Sequence, residues 1–251
     1  EKKLHRFGPA NIRENISQLI HWSRKRPEVF ILESMALQPE MQYTLSRSIF
    51  RPTHIGITNI SRDHREVMGE SEEEMARCLV RSFHKESSIS LPMLFEEYLP
   101  GAKLPGETIH LYTAEKISHA FKNIPSEIVE QSWGLVRSIS EKLMIDPQKA
   151  RATFLEIWKK TDERLVVSRP GKHWEFYDLF SVNDIDTTRS FLDYIRAGNS
   201  KDSREIVLLN TRADRPLRSL DFTSYLSELQ WIDEIWIAGS GKSPSRRQLR
   251  K

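Results

Sequence analysis

The sequence predicts an α/β protein organised as two lobes, residues 1–168 and a smaller unit from 169 to 251. Three observations carry that expectation. Val29-Phe-Ile-Leu32 and Ile55–Ile60 are apolar, β-branched runs of strand length, the pattern of buried parallel strands. Amphipathic helical stripes flank them. Beyond Arg169-Pro-Gly171 the pattern changes to a regular strand–helix alternation, which makes a parallel, Rossmann-like sheet. The 251 residues suffice for one large domain or two modest ones. With 29% charged and 38% hydrophobic residues the balance is that of ordinary globular proteins. No apolar run approaches the roughly 20 residues that a membrane span needs. The net charge of +3 is too slight to imply a nucleic-acid partner. The single cysteine, Cys78, rules out an internal disulfide framework and fits a reducing compartment.

Taken in order, Asn11 and Glu14 form a capping-box pair that opens a helix with Ile12, Ile16, Leu19 and Ile20 as its apolar stripe. Pro27 stops it, and Val29–Leu32 is the first strand; Ile55–Ile60 is the next. Ser71-Glu-Glu-Glu74 places acids in the first turn of a helix, where its dipole favours them, and Cys78 falls on that helix's apolar face with Met75, Leu79 and Phe83. Leu91–Phe95 reads as a short strand, and Pro100-Gly101 and Pro105-Gly106 mark a loop. A helix runs from about Ser126 to Leu143 with Ile128, Leu135, Ile139 and Leu143 on one side. Another starts at Asp146-Pro147, an N-cap followed by proline at the first helical position, and is expected to bury Ala150, Phe154, Ile157 and Trp158. Trp174–Val182 and Ile206–Leu209 are strands around a helix ending near Gly198. A helix over Leu220–Leu229 leads to the strand Glu234–Ala238, and the Ser-, Arg- and Lys-rich tail from Gly239 is expected to be loose.

Both early strands end in polar residues, Glu33 after the first and Thr58, Asn59, Asp63 and His64 after the second. In open parallel sheets ligands sit beyond the carboxyl ends of strands, so Glu33 and His64 are candidate ligands of one divalent ion. The plain alternatives are a strand-end glutamate facing water and a structural histidine. The other histidines show no zinc-like spacing, and a Mg²⁺ ion that keeps waters and phosphate oxygens needs few protein ligands. Asn183 and Asp184 follow the first strand of the second lobe, where either can line a ligand site or cap the next helix. Arg212, Asp214 and Arg215, at the end of a buried strand, form an ion-pair network or bind an acidic substrate. Gly239-Ser-Gly-Lys-Ser243 is no phosphate loop: Trp236 stands where the motif needs a glycine, and Pro244 follows at once.

Leu32-Glu-Ser-Met-Ala36 and Thr58-Asn-Ile-Ser-Arg-Asp-His-Arg-Glu-Val-Met-Gly69 resemble two nucleotide-site motifs of the Mur-ligase superfamily. Val182-Asn-Asp184 and Leu209-Asn-Thr-Arg-Ala-Asp-Arg215 extend the resemblance in the expected order, and the Arg-Ala-Asp-Arg segment points within it to the poly-γ-glutamate synthase ligase subunits. The resemblance implies an incomplete central ATPase-type domain followed by a Rossmann-like one, and an ATP-dependent amide ligase that forms γ-glutamyl bonds through an acyl phosphate. It implies ATP and Mg²⁺, with Glu33 and His64 as metal ligands and Asp63 orienting the imidazole. Thr58, Asn59, Asn183 and Asp184 are then nucleotide contacts, Arg164 is a hinge arginine facing γ-phosphate charge, and Arg212, Asp214 and Arg215 face the substrate. Glu66 and Gln131 depart from the family's aspartate and asparagine. The implied partners are glutamate or the growing polymer and membrane subunits of a synthase, with a homo-oligomer left open. The implied location is cytoplasmic, the membrane's inner face being reached through an earlier segment or those subunits. The family's Gly-rich phosphate loop would precede Glu1, so this stretch is expected to be the body of a longer ligase and to hydrolyse ATP poorly alone. The competing readings are a non-catalytic assembly module derived from such a ligase, and a ligase of the same superfamily acting on folate or cell-wall precursors.

Overall fold

The computed structural model describes residues 12–34, 36–60, 65–98, 104, 106, 108–117, 121–168, 174–200 and 202–249. The chain begins with α1 (Ile12–Ser23) and α2 (Pro39–Tyr43), which runs on into a wider π-helical stretch, Thr44–Phe50. Then come β1 (His54–Gly56), α3 (Arg65–Met68), α4 (Glu72–Val80), β2 (Ser88–Pro92), α5 (Leu94–Tyr98) and β3 (Thr108–Tyr112). Two long helices follow, α6 (Ser126–Lys142) and α7 (Pro147–Leu165), and a small hairpin of β4 (Val166–Ser168) and β5 (Glu175–Tyr177). The remainder is α8 (Ile185–Gly198), β6 (Ile206–Thr211), α9 (Pro216–Glu228), β7 (Glu234–Gly239) and α10 (Lys242–Gln248). The protein is a mixed α/β fold with short parallel sheets. Among the described residues no helix is long and apolar enough to cross a membrane.

β1, β2 and β3 form a parallel sheet in that order, with Ile55 beside Ile89 and Ile89 beside Ile109. Alternation along a strand gives the sheet two unlike faces. The face of Ile55, Ile89 and Leu91 is packed by Met75, Ala76, Phe83 and Phe95 from α4, α5 and the turn between. The other bears small or polar residues, among them His54, Gly56, Ser90, His110 and Tyr112, and α6 lies across it. Its approach is close: the Ser90 and Ser138 hydroxyls meet at 2.8 Å, and a methyl on Gly56 would stand 3.1 Å from Ile139 Cδ1. At Gly134 an added Cβ would stand 2.0 Å from the Thr113 carbonyl oxygen. A second apolar cluster joins Val129 and Trp133 of α6, Phe154 of α7, Phe191 of α8, and Ile117, Phe121 and Ile124 of the connecting loop. The Trp133 and Phe154 rings pack at 5.1 Å. Buried Asp162 fixes that loop by accepting from the amides of Lys122 and Asn123 at 3.2 and 2.7 Å.

The expected Asp146-Pro147 helix start is present, whereas Asn11 of the expected Asn11–Glu14 box lies outside the described residues. Ser71 and Glu74 form a capping box on α4, and Asp146 accepts from the Lys149 amide at 2.7 Å ahead of Pro147. Cys78 is buried, with Gln42 Nε2 donating toward its sulfur at 3.6 Å, and burial raises the thiol's pKa.

Other elements differ from expectation. Val29–Leu32 joins no sheet among the described residues, and Val29 and Ile31 are 61% and 90% exposed. A strand needs a neighbour for its amides and carbonyls, and β1 pairs only with β2 among the described residues. The β-branched run Ile55–Ile60 is regular strand only to Gly56, because Pro92 ends the neighbouring ladder. Leu91–Phe95 divides between the end of β2 and the start of α5. Trp174–Val182 shortens to β5, which pairs antiparallel with β4; the Asp178 carboxylate accepts from the Phe180 amide at 3.3 Å and turns the chain. Among the described residues of the last third, β6 and β7 alone form a parallel pair. Ile157 is 58% exposed rather than buried. The tail forms α10, with Ser245 fully buried and Gln248 hydrogen-bonded to Ser224. Arg169-Pro-Gly171 lies outside the described residues; the β4–β5 hairpin pairs strands from either side of it, and Leu179, Val182 and Phe191 beyond it share a core with Phe154 and Trp158 before it.

Two predictions follow from the α6 face. Alanine in place of Gly134 gains about 1 kcal/mol of helix propensity, but its methyl meets backbone that cannot rotate away. Overpacking of this kind costs about 1–3 kcal/mol, so Gly134→Ala is expected to lower the urea midpoint without changing the slope. The second concerns His110, whose Nε2 is buried without a partner among the described residues, as are both ring nitrogens of His54. Its pKa is lowered by burial first, then by Lys142 and His54, with Glu141 opposing. The unfolded chain takes the proton at the ordinary value of about 6.5 and the folded chain only below that, so stability is lost as pH falls through this window. Thermal melts between pH 7.5 and 5 should show that decline, and His110→Gln should flatten it.

Candidate functional site

A cavity of about 500 Å³ opens between the two apolar clusters, within the roughly 300–1,000 Å³ of small-molecule sites. Its apolar walls come from Ile60, Met75, Ile128, Trp158, Leu165 and Phe191, and its polar lining from Asn59, Thr161, Ser181, Asn183, Asp184 and Thr187. Each wall has a local cause. Residues 57–60 continue beyond β1, so Asn59 and Ile60 stand past the carboxyl end of a parallel strand. Trp158, Thr161 and Leu165 recur at helical spacing on α7. Ser181–Asp184 is the entry to α8, held by a Val182 amide bond to the Leu179 carbonyl at 3.0 Å.

Three residues expected at a ligand site, Asn59, Asn183 and Asp184, line this one cavity. Asp184 is also the N-cap of α8, accepting from the Thr187 amide at 2.8 Å, so the two readings of that position coexist. Asn183 accepts from Arg218 Nη1 at 3.2 Å. Thr58 is exposed beside Asn59, and its carbonyl accepts from the Tyr112 hydroxyl at 2.9 Å and from Gln131 Nε2 at 3.5 Å. Arg164 is exposed in the last turn of α7, next to Leu165.

Glu33 is exposed, and its carbonyl is tied to α1 by Asn15 Nδ2 at 3.0 Å. Asp63 and His64 lie outside the described residues, as does the side chain of Glu66, so the expected Glu33–His64 pairing is not described. Among the described residues no three His, Cys, Asp or Glu side chains converge as a metal site. Arg212 and Asp214 are exposed and pair with each other through two contacts of 3.0 and 2.6 Å. The hydrogen bond from Arg212 holds the Asp214 carboxyl below its ordinary pKa. Arg215 stands at the N-cap of α9. This trio lies beyond the carboxyl end of β6, where the Ala213 amide also donates to Ser240 Oγ at 3.0 Å. α10 begins at Lys242, inside Gly239-Ser-Gly-Lys-Ser243, where a loose tail was expected, and is seven residues long.

Sequence reasoning missed Tyr112, Thr161, Ser181 and Thr187 as site residues. Ser181 and Thr187 flank Asn183-Asp184 and were within reach of a local reading. Tyr112 enters only through strand register, which sequence spacing does not carry.

Comparison with known proteins adds lineage to this geometry. No solved structure matches the chain. Capsule biosynthesis protein CapB of Bacillus anthracis is 23% identical over 227 residues, which cover 88% of this chain and 48% of that protein. PGA synthase CapB of Bacillus subtilis (strain 168) is 20% identical over 242 residues, 94% of this chain and 61% of that protein. The chain therefore spans about half to three-fifths of the length of these relatives. Residues 164–251, which include β6 with its Arg-Ala-Asp-Arg end and the helices around it, match the family described as poly-gamma-glutamate synthase CapB C-terminal domain.

Proposed function

We propose that this chain serves poly-γ-glutamate synthesis as part of an ATP-dependent amide ligase, with the nucleotide bound in the cavity between the two cores. The observation that carries the reading is the meeting of Asn59, from beyond β1, with Asn183 and Asp184, from the entry to α8, around an apolar slot. Flat apolar walls from Trp158, Ile128 and Phe191 suit a purine base, and the amide and carboxylate rim suits ribose and phosphate oxygens. The low-identity relation to the CapB proteins supports the same reading.

In this chemistry a glutamate carboxylate oxygen attacks the γ-phosphorus and the bond to the ADP oxygen breaks. An amine then attacks the acyl carbon, inorganic phosphate leaves, and the amine's proton passes to solvent or a base. The protein's task is alignment and charge neutralisation. Arg164 is assigned to the γ-phosphate charge, and Arg212 and Arg215 to the anionic substrate, Arg212 exchanging its Asp214 partner for it. Both contacts of the Arg212–Asp214 pair are exposed, and such pairs are worth only about 0–1 kcal/mol, so a substrate carboxylate can compete. The donor set fits Mg²⁺: Glu33 offers an exposed carboxylate, Thr58 an exposed hydroxyl, and oxygen donors are what that ion takes. Glu33 and His64 would hold it, with Asp63 orienting the imidazole, and bound Mg²⁺ supplies neutralisation of phosphate charge. Membrane subunits of a synthase are the assigned partners, which puts the protein at the cytoplasmic face of the membrane.

The test is equilibrium binding of a ribose-labelled fluorescent ATP, read by energy transfer from Trp158 at the cavity wall. Binding is expected to require Mg²⁺ and to be reversed by EDTA. Thr161→Trp, at an exposed helical position on the cavity's edge, should weaken it at least tenfold, about 1.4 kcal/mol, with the circular dichroism unchanged. Glu33→Gln should raise the Mg²⁺ concentration needed for half-maximal binding. Equal binding by wild type and Thr161→Trp would move the nucleotide elsewhere.

A further inference from the structure

In a parallel ladder hydrogen bonds are evenly spaced, each strand alternately giving and taking. The Ile57 amide donates to the Ser90 carbonyl at 3.0 Å. The next bond in the series would bring an amide from residue 92 to the Ile57 carbonyl, but residue 92 is proline and has no N–H. The β1 side of the ladder therefore stops one residue short of the cavity. The missing donor comes from two strands away. Tyr112, at the end of β3 and 6% exposed, sends its hydroxyl past β2 to the Ile57 carbonyl at 2.7 Å and the Thr58 carbonyl at 2.9 Å. Its ring lies under α6, with Cδ2 3.2 Å from the place a Gly134 Cβ would occupy. Only a helix bare at that point leaves room for it.

We infer that Tyr112 is a positioning residue for the cavity: its hydroxyl replaces the amide that Pro92 lacks and fixes the backbone of Ile57 and Thr58, so that Asn59 faces the ligand. Burial raises the phenol's pKa well above its ordinary value, so the hydroxyl keeps its proton and remains a donor across the physiological range. The inference rests on the nucleotide reading for the identity of the ligand, but the clamp itself does not.

Tyr112→Phe removes one oxygen and keeps the ring. Exchange of the Ile57 amide, which donates to the Ser90 carbonyl, should quicken at least tenfold in this variant while the amides in the middle of β2 keep their protection, and the Kd for the labelled Mg²⁺-nucleotide should rise about tenfold. Pro92→Ala placed in the same background restores a ladder N–H. It should bring both readouts back to within about threefold of wild type, a rescue that loss of ring packing would not allow. Unchanged exchange in Tyr112→Phe, or no rescue by Pro92→Ala, overturns the clamp. Quickened exchange with unchanged nucleotide affinity overturns the positioning role. If wild type binds no Mg²⁺-nucleotide, the proposed function fails, and exchange and rescue alone decide the clamp.

Discussion

The rest of this structure depends on how closely α6 lies on the sheet. Its 17 residues, about 25 Å of helix, cross a strand face made of small and polar side chains. Contact at Gly134 is possible only because no side chain stands against the Thr113 carbonyl, and bare Gly56 leaves room for the ends of Ile139 and Leu135. Close packing of this sort leaves interior density no room to absorb a methyl group. The same helix presents Val129 and Trp133 on its far side to the second core, so it is shared between two layers. Any outward shift of α6 would move one wall of the cavity, through Ile128, and unseat Tyr112 together.

How much of this was legible in the sequence follows from the range of the forces involved. Local signals read correctly: the acid-rich helix start after Ser71, the Asp146-Pro147 start, the helix ending at Gly198 and the strand from Glu234 all rest on a few neighbouring residues. Readings that needed a partner strand fared worse. Val29–Leu32 has the composition of a buried strand, but composition does not supply the hydrogen-bonding neighbour. Trp174–Val182 is apolar enough for a long strand, yet one Asp178 side chain turns it early. Of the candidate site residues, Asn59, Asn183 and Asp184 were legible as strand-end and helix-entry polar groups, and one cavity receives all three. The reach of Tyr112 over β2 was not, since it depends on register between β1 and β3 and on the absence of an amide at Pro92.

The cavity's place between two cores has a physical logic. Each core is closed by its own helices, so the junction is where packing is incomplete and a ligand's apolar surface can substitute for protein. The groups that would give direction to such a ligand arrive from chain ends: the segment beyond β1 and the turn before α8. Both are held by backbone hydrogen bonds as well as by packing, Ile60 in the first core and Val182 against the second. The arginines beyond β6 are placed by the same rule at the end of a second parallel pair.

Cys78 shows what burial does to reactivity. The nucleophile in thiol chemistry is the thiolate, and burial in the α4 layer outweighs the opposing pull of Arg81 and Gln42, so the thiol's pKa is raised. The sole sulfhydryl of the chain is thus shielded from oxidants and alkylating reagents as long as α4 remains seated. Its rate of modification then becomes a clock for the opening of that layer, with no other thiol to confuse the reading.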